Sequence, residues 1–173
     1  MIIRTASRAD ADSIRTVHLA AFPEEEAEQV ASLAVELLEL GEGLSLVAEE
    51  NGSIVGNVVF SPVRIEDGTD WKGCILAPLG VNPATQSQGL GSRLVEEGKR
   101  RLAELGVQIV FVYGDPAYYG RFGFSAEAAV QYRAPHPLQF PFGWQAIELG
   151  GGAQRSSAVT IECVEPLNKP EMW

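Results

Sequence analysis

Two glycines separated by one residue stand at the start of a helix-like segment, beside two glutamines. Gly89 and Gly91 carry no Cβ, so their backbone amides are unshielded, and Gln86 and Gln88 lie next to them. The first amides of a helix lack partners within the helix and lie at the positive end of its dipole. A helix start of this kind binds anions, so the segment Gln86–Ser92 is suited to a diphosphate.

Glycines at this spacing are also typical of three other features. A Walker loop needs GxxxxGK followed by Ser or Thr, and the sequence contains no such run. A dinucleotide fingerprint is closer, because the next predicted strand ends near Asp115, where a ribose-binding carboxylate belongs. However, Leu94 occupies its third glycine position, and Gly89 follows the preceding strand by about eight residues. Glycines that only turn the chain are the remaining alternative.

A second motif supports a more specific interpretation. The stretch Gln86–Gly91, QSQGLG, fits the Q/R-x-x-G-x-G/A acetyl-coenzyme-A signature of the GNAT N-acetyltransferase superfamily. The stretch Tyr118–Phe124, YYGRFGF, resembles that family's F-Y-x-x-x-G-F segment, and a predicted helix and strand separate the two motifs. The chain therefore resembles a GNAT enzyme over roughly residues 2–124.

The resemblance implies transfer of an acetyl group from acetyl-CoA directly to an amine, with no metal. The backbone of Leu79, Gly80 and Val81 would hold the pantetheine arm and the acetyl carbonyl. The diphosphate would bind to the loop and the first helical turn, at Gln86, Ser87, Gln88, Gly89, Leu90, Gly91 and Ser92. A non-catalytic acyl-CoA-binding or sensing module, and a dinucleotide-binding domain, are the alternatives to a transferase.

Tyr119 matches the family position whose hydroxyl protonates the departing coenzyme A thiolate. A phenol is a neutral acid at working pH, which suits that task, and an aromatic packing residue is the alternative. Some relatives carry a basic glutamate where Ile75 stands here, so the general base is unassigned. Ordered water or another carboxylate would serve; Glu24–Glu26 are interpreted as surface residues at a helix start, and Asp115 as a helix cap.

The remaining side chains with possible chemistry have plainer interpretations. His18 lies among apolar residues of a helix and is expected to be packed or half-exposed, and His136 stands in a proline-rich loop at the surface. Cys74 is expected to be a buried small hydrophobe. Phe142 and Trp144 are either walls of an acceptor pocket or core residues.

The elements that position these residues follow from hydrophobic periodicity, caps and turn signals. Strands are predicted over 2–5, 44–48, 54–65, 74–81, 107–113, 146–149 and 159–164. Helices are predicted from Asp12 to Phe22, from Pro23 to Gly41, from Gly89 to Gly106, with Leu105 on the apolar face, and from Asp115 to Gly123. Polar or flexible loops are predicted over 66–71 and 150–152, and an aromatic, proline-rich loop over 133–144.

This order predicts an α/β fold with a mixed, mostly antiparallel central sheet and helices on both faces. The strand–helix–strand order over 74–113 implies a parallel pair, and the family resemblance implies that the two central parallel strands splay apart. Pro78, which lacks a ladder donor, is expected at that splay. The 173 residues suit a single domain, with 1–124 as the recognisable core and 125–173 as C-terminal strands and loop.

Composition bounds the partners. The formal charge of −10 argues against nucleic acid and slightly favours a cationic acceptor, either a small molecule or a peptide amine. No apolar run is long enough for a membrane span or a signal peptide, so a cytoplasmic location is predicted. Two cysteines without a CxxC or a Cys/His cluster predict no zinc site. A homodimer is possible, and acceptor choice is expected to reside in Phe22–Gly41 and Arg133–Trp144.

Overall fold

A computed structural model describes residues 1–67, 70–151 and 155–173. Part of the predicted 66–71 loop and Gly152 of the predicted 150–152 loop lie outside these residues. The helices are α1 (Ala11–Ala21), α2 (Glu24–Leu40), α3 (Leu90–Glu104) and α4 (Pro116–Tyr119). The strands are β1 (Ile2–Thr5), β2 (Leu44–Glu50), β3 (Ser53–Arg64), β4 (Gly73–Val81), β5 (Ile109–Tyr113), β6 (Tyr132–Arg133), β7 (Trp144–Glu148), β8 (Val159–Thr160) and β9 (Glu162–Cys163).

The chain forms two compact units, of which the first comprises Met1–Phe60 and Ala77–Gly98. In this unit the strand order is β1–β2–β3–β4, and the first two pairings are antiparallel. The β2–β3 hairpin turns at Asn51 and Gly52, whose φ angles are 52° and 78°. These left-handed angles are those that an Asn-Gly hairpin turn requires, so the turn lies where the sequence predicts it.

Helices cover both faces of β3 within the first unit. Successive side chains of a strand point to opposite faces. On one face, a Cβ at Gly56 would lie 3.0 Å from Leu94 of α3. On the other face, Asn57 forms a hydrogen bond with His18 of α1. The predicted two-faced arrangement is therefore confirmed around this strand.

The second unit comprises Ser61–Leu76 and Lys99–Trp173. Here β5 pairs in parallel with β4 and antiparallel with β7, while the end of β3 pairs antiparallel with β9. The predicted mixed and mostly antiparallel sheet is thus confirmed. The parallel register joins Gly73–Leu76 to Ile109–Val112 and ends there, and the Ala77–Pro78 peptide bond shortly beyond it is cis.

Two predictions about element limits are wrong. A single strand over 159–164 is replaced by β8 and β9, which pair with β6 and β3 respectively. Ile161 between them is fully buried, and its amide donates to the carbonyl of Arg133. Leu105 is 62% exposed rather than on the apolar face, because α3 ends at Glu104. Among the described helices, none has the length and apolar character that a bilayer crossing requires.

Candidate active site

The loop between β4 and α3 is folded back onto the end of β4. Asn82 starts a 3₁₀ turn over Pro83–Thr85, and its Oδ1 accepts a hydrogen bond of 3.0 Å from the Ala84 amide. The Gln86 side chain donates through Nε2 to the carbonyl oxygen of Val81 at 3.0 Å. A side chain that binds the preceding strand thus fixes the direction in which the loop approaches α3.

Two residues with left-handed backbone precede α3. Ser87 has φ 69° and Gly89 has φ 72°. The Gly89 carbonyl accepts the first helical hydrogen bond from Arg93, so the amides of 90–92 have no acceptor within the helix. A Cβ at Gly89 would meet no atom within 4 Å, and residues 86–89 are exposed. The mouth of α3 is therefore open, with unshielded amides at the positive end of the helix.

The first turns of α3 do not follow the dinucleotide pattern. Leu94, at the position of that pattern's third glycine, is fully buried. Its Cδ1 lies 3.0 Å from a Cβ built at Gly56. In the dinucleotide fold the helix carries the glycine that allows close packing on the strand. Here the strand carries the glycine and the helix carries the leucine.

The segment at the end of β4 is held from the α1 side. Gly80 is buried, whereas Leu79 and Val81 are partly exposed. A Cβ at Gly80 would lie 2.5 Å from Nδ1 of His18. This distance allows only a hydrogen on the Gly80 α-carbon, so the imidazole lies directly against the strand backbone.

In the second unit, Tyr119 ends the short helix α4. Asp115 caps this helix, with Oδ1 accepting from the Ala117 amide at 2.9 Å, and a Cβ at Gly114 would lie 2.6 Å from the Tyr119 ring. The ring is half-buried and meets the Tyr118 ring edge-on at 4.9 Å. Burial, and secondarily Tyr118, raises the pKa of Tyr119 above the ordinary value of a phenol. Its hydroxyl is therefore neutral at any working pH.

The other candidate side chains divide into buried and surface groups. His18 is fully buried rather than half-exposed, and burial lowers its pKa. Cys74 is buried and burial raises its pKa to about 12, so it carries no thiolate at neutral pH. Ile75 is 1% exposed within β4. His136 is partly exposed and hydrogen-bonded to Asn168 at 3.1 Å.

The expected helix-start residues lie where the sequence predicts them: Asp115 is a cap, and Glu24–Glu26 are exposed in the first turn of α2.

Trp144 is buried, and its Nε1 donates to the Tyr132 carbonyl at 2.8 Å, whereas Phe142 is 68% exposed. Among the described residues, no group of three histidine, cysteine or acidic side chains could hold a metal ion. The sequence analysis did not single out Asn57, although it is the one amide side chain in the otherwise mostly apolar run IVGNVVF over residues 54–60.

A cavity of about 590 Å³ lies in the second unit, beside the proline-rich loop. Its lining residues come from the 126–138 segment, which includes Arg133 and His136, and from Pro141, Trp144 of β7 and Thr160 of β8. The wall is mostly apolar, with one guanidinium and one imidazole. The predicted acceptor segment Arg133–Trp144 therefore borders a concave surface.

Comparison with known proteins agrees with the two motifs. The family model described as an acetyltransferase (GNAT) domain matches residues 2–126. The uncharacterized N-acetyltransferase YjhQ of Escherichia coli K12 is 40% identical over 134 residues, which cover 76% of this chain and 74% of YjhQ. Its counterpart YhbS from the same strain is 40% identical over 139 residues, which cover 79% of this chain and 81% of YhbS.

Two solved structures share the fold and exceed 30% identity. The crystal structure of the E. coli GNAT family N-acetyltransferase YhbS in complex with CoA has a TM-score of 0.86 and 34% identity, covering 97% of this chain and 92% of YhbS. A GNAT family acetyltransferase from Brucella melitensis in complex with acetyl-CoA has a TM-score of 0.69 and 33% identity, covering 91% and 93%. By its motifs, its fold and these relatives, this chain belongs to the GNAT family of N-acetyltransferases.

Proposed function

We propose that this enzyme binds acetyl-CoA and transfers the acetyl group directly to the amine of a small molecule or peptide. The observation that carries the proposal is the open mouth of α3, where the left-handed residues Ser87 and Gly89 precede amides that have no acceptor within the helix. The relatives from E. coli and B. melitensis were solved with CoA and acetyl-CoA, which supports the same cofactor here.

The diphosphate is proposed to bind to the amides of Gln88, Gly89 and Gly91, together with the flanking residues Ser87, Leu90 and Ser92. The aligned backbone dipoles of α3 give these amides a positive electrostatic field, which favours an anion. Gln86 takes a supporting role, since its side chain is already bonded to Val81. The charge of the diphosphate is thus stabilised by groups that need no reorganisation when the ligand binds.

The pantetheine arm and the acetyl carbonyl are proposed to bind to the backbone of Leu79, Gly80 and Val81. The parallel register of β4 with β5 ends at Leu76. This supports the proposal that the edge of β4 that faces β5 has backbone groups available to a ligand beyond Leu76. A backbone amide that donates to the thioester oxygen stabilises the negative charge that develops there during attack.

In the proposed reaction, the neutral amine attacks the carbonyl carbon and forms the C–N bond, and the C–S bond then breaks. The Tyr119 hydroxyl donates a proton to the departing thiolate, and the newly bonded nitrogen loses one. The pKa of a phenol already exceeds that of a thiol, about 10 against about 8.5, and burial raises it further. Tyr119 therefore donates its proton to the thiolate only if it gains the proton that the nitrogen loses. The two transfers are coupled through water or through a base, which is unassigned.

The acceptor is proposed to be chosen by Phe22–Gly41 and by Arg133–Trp144, the latter beside the 590 Å³ cavity. The net charge of −10 favours a cationic amine over an anionic one at long range. A homodimer is still a prediction from the family resemblance.

The test is a panel of primary amines with acetyl-CoA, followed by release of free thiol, in Tyr119→Phe and in the matched Tyr118→Phe. The phenylalanine ring keeps the packing on Gly114, so only the hydroxyl is lost. We expect Tyr119→Phe to lower kcat by about a hundredfold or more with little change in KM for acetyl-CoA, and Tyr118→Phe to stay near wild type. Unchanged turnover of Tyr119→Phe ends its assignment.

The two alternatives give different results in the same samples. A non-catalytic acyl-CoA sensor binds CoA but releases no thiol with any amine. A dinucleotide-binding domain is stabilised against heat by NAD and not by CoA. Thermal stabilisation by CoA together with amine-dependent thiol release supports the transferase against both.

A further inference from the structure

A buried histidine joins three elements of the first unit. His18 of α1 is 0% exposed, and its Nε2 lies 2.8 Å from Oδ1 of Asn57 on β3. The other edge of its ring lies against Gly80 on β4. A histidine is a costly way to fill apolar space, because each buried ring nitrogen loses its hydrogen bond to water and needs a partner in the protein.

Neighbouring groups fix the protonation of this ring. Asn57 donates through Nδ2 to the carbonyl of Leu46 at 2.9 Å and to the hydroxyl of Ser45 at 3.1 Å. A carbonyl only accepts, so the amide nitrogen must face Leu46 and Oδ1 must face His18. Nε2 therefore carries the proton and donates to Asn57. In the neutral ring, which burial favours, Nδ1 carries the lone pair.

Nδ1 is the unusual atom. Among the described residues it has no hydrogen-bond partner, although it is buried. A Cβ at Gly80 would lie 2.5 Å from Nδ1 and 2.8 Å from Cε1, so this edge faces the Gly80 α-carbon. A buried acceptor without a partner costs about 1–3 kcal/mol of stability. Leucine would remove that cost but would leave Oδ1 of the buried Asn57 without its donor. The two costs are of similar size, so stability alone does not account for the imidazole.

We infer that His18 is a positioning residue for acetyl transfer: held by Asn57, its flat ring sets the position of the β4 backbone at Gly80. The inference rests on the proposed function, in which residues 79–81 bind the acetyl carbonyl. An aromatic ring has two rotatable bonds, and the Asn57 hydrogen bond fixes the second of them. A leucine in its place leaves the strand free to approach α1.

The effect on the reaction follows from distance. A misplacement of about 1 Å at a reacting group lowers the rate by up to about a hundredfold. The pantetheine arm is proposed to share the Leu79–Val81 backbone with the acetyl carbonyl, but the diphosphate is proposed to bind at Gln86–Ser92, so we expect most of the CoA affinity to be independent of the ring. His18 variants should therefore lose carbonyl alignment and turnover while keeping most of the CoA affinity.

The experiment uses [1-¹³C]acetyl-CoA bound to the full chain, with the carbonyl chemical shift read by NMR, and Kd for CoA read by calorimetry. In the wild type we expect a shift away from the free value, caused by a hydrogen bond from the β4 backbone. In His18→Leu we expect the shift to return at least halfway to the free value, with Kd for CoA within about threefold. His18→Gln, whose side-chain amide can donate to Asn57, should recover part of the shift.

Ile14→Val is the matched control, because Ile14 is fully buried on the same helix and packs against Ala34 and Val47, whereas the three atoms nearest a Cβ at Gly80 all belong to His18. It should lose stability and keep the wild-type carbonyl shift. A His18→Leu enzyme with the full wild-type shift overturns the inference, as does a wild type that binds acetyl-CoA without any shift. A wild type that does not bind acetyl-CoA overturns the proposed function itself. With an amine from the panel, kcat in His18→Leu should fall about 10- to 100-fold.

Discussion

Substitution of Gly89 by alanine separates the backbone role of this residue from its proposed ligand role. Gly89 has φ 72°, and a Cβ there would meet nothing within 4 Å. The chain can therefore accommodate the methyl group sterically, at the cost of a left-handed alanine. If a diphosphate oxygen occupies the space in front of the Gly89 amide, the methyl group enters that space instead.

Gly52 provides a control with nearly the same geometry. Its φ is 78°, a Cβ there would also meet nothing within 4 Å, and it lies in the β2–β3 turn. A left-handed alanine costs about 1–2 kcal/mol at either position. For a chain of this size, each kcal/mol lowers Tm by about 2–4 °C. Both variants should therefore lose nearly equal stability in the absence of ligand.

The two variants should differ only when CoA is added. Loss of one hydrogen bond to a charged group costs about 1.5–3 kcal/mol, which corresponds to a Kd about ten- to a hundredfold weaker. We expect this loss in Gly89→Ala and wild-type affinity in Gly52→Ala, measured by calorimetry with CoA and by the rise in Tm that CoA produces. Equal CoA affinity in the two variants refutes the assignment of the α3 mouth to the diphosphate.

Two further predictions concern stability. Gly98→Ala should destabilise the protein by about 1–3 kcal/mol in urea unfolding, because its Cβ would overlap the Phe60 ring, although alanine favours a helix. Phe60→Leu should restore part of the lost stability, and a Gly98→Ala variant more stable than wild type would contradict this packing. Asp10→Asn should cost about 1–2 kcal/mol at pH 7, since hydrogen bonds from Arg4 at 2.9 Å hold the pKa of Asp10 far below its ordinary value. That stabilisation is present above the unfolded-state pKa near 4 and is lost as the pH falls through the folded-state pKa, so the difference from wild type should narrow below pH 4; a constant difference down to pH 2.5 contradicts it.

Most helix and strand limits could be predicted because their causes are local. Gly41 has φ 69° and ends α2, and Asp115 caps α4, as the sequence indicates. The division of the 159–164 stretch into two strands could not be predicted, because its cause is not local. The partners of β8 and β9 are β6 and β3, and β3 lies about a hundred residues earlier in the chain.

The same distinction separates the parts of the candidate site. The proposed diphosphate segment could be predicted because its amides belong to consecutive backbone groups, and the motif specifies their conformation through glycine. The contact of His18 with Asn57 spans 39 positions, and each residue alone has an ordinary interpretation. Acceptor choice is harder still, since we propose that it depends on loop side chains from separate segments, and no periodicity encodes how such side chains are arranged.

Glycines are required for different physical reasons at different positions of this chain. Gly89 has a positive φ and open space where a Cβ would be, whereas Gly80 has an imidazole 2.5 Å from that position. Gly98, in α3, makes room for a phenylalanine ring. Alanine at Gly89 should lower the affinity for a ligand while the fold persists, because only solvent or ligand fills the space. Alanine at the other two acts on the packing before any ligand binds, because protein atoms already occupy the space. Free space around a glycine is therefore required of a residue kept for a ligand but is not sufficient, since Gly52 has the same free space in a turn. At Gly89 the free space coincides with the unshielded amides at the start of α3.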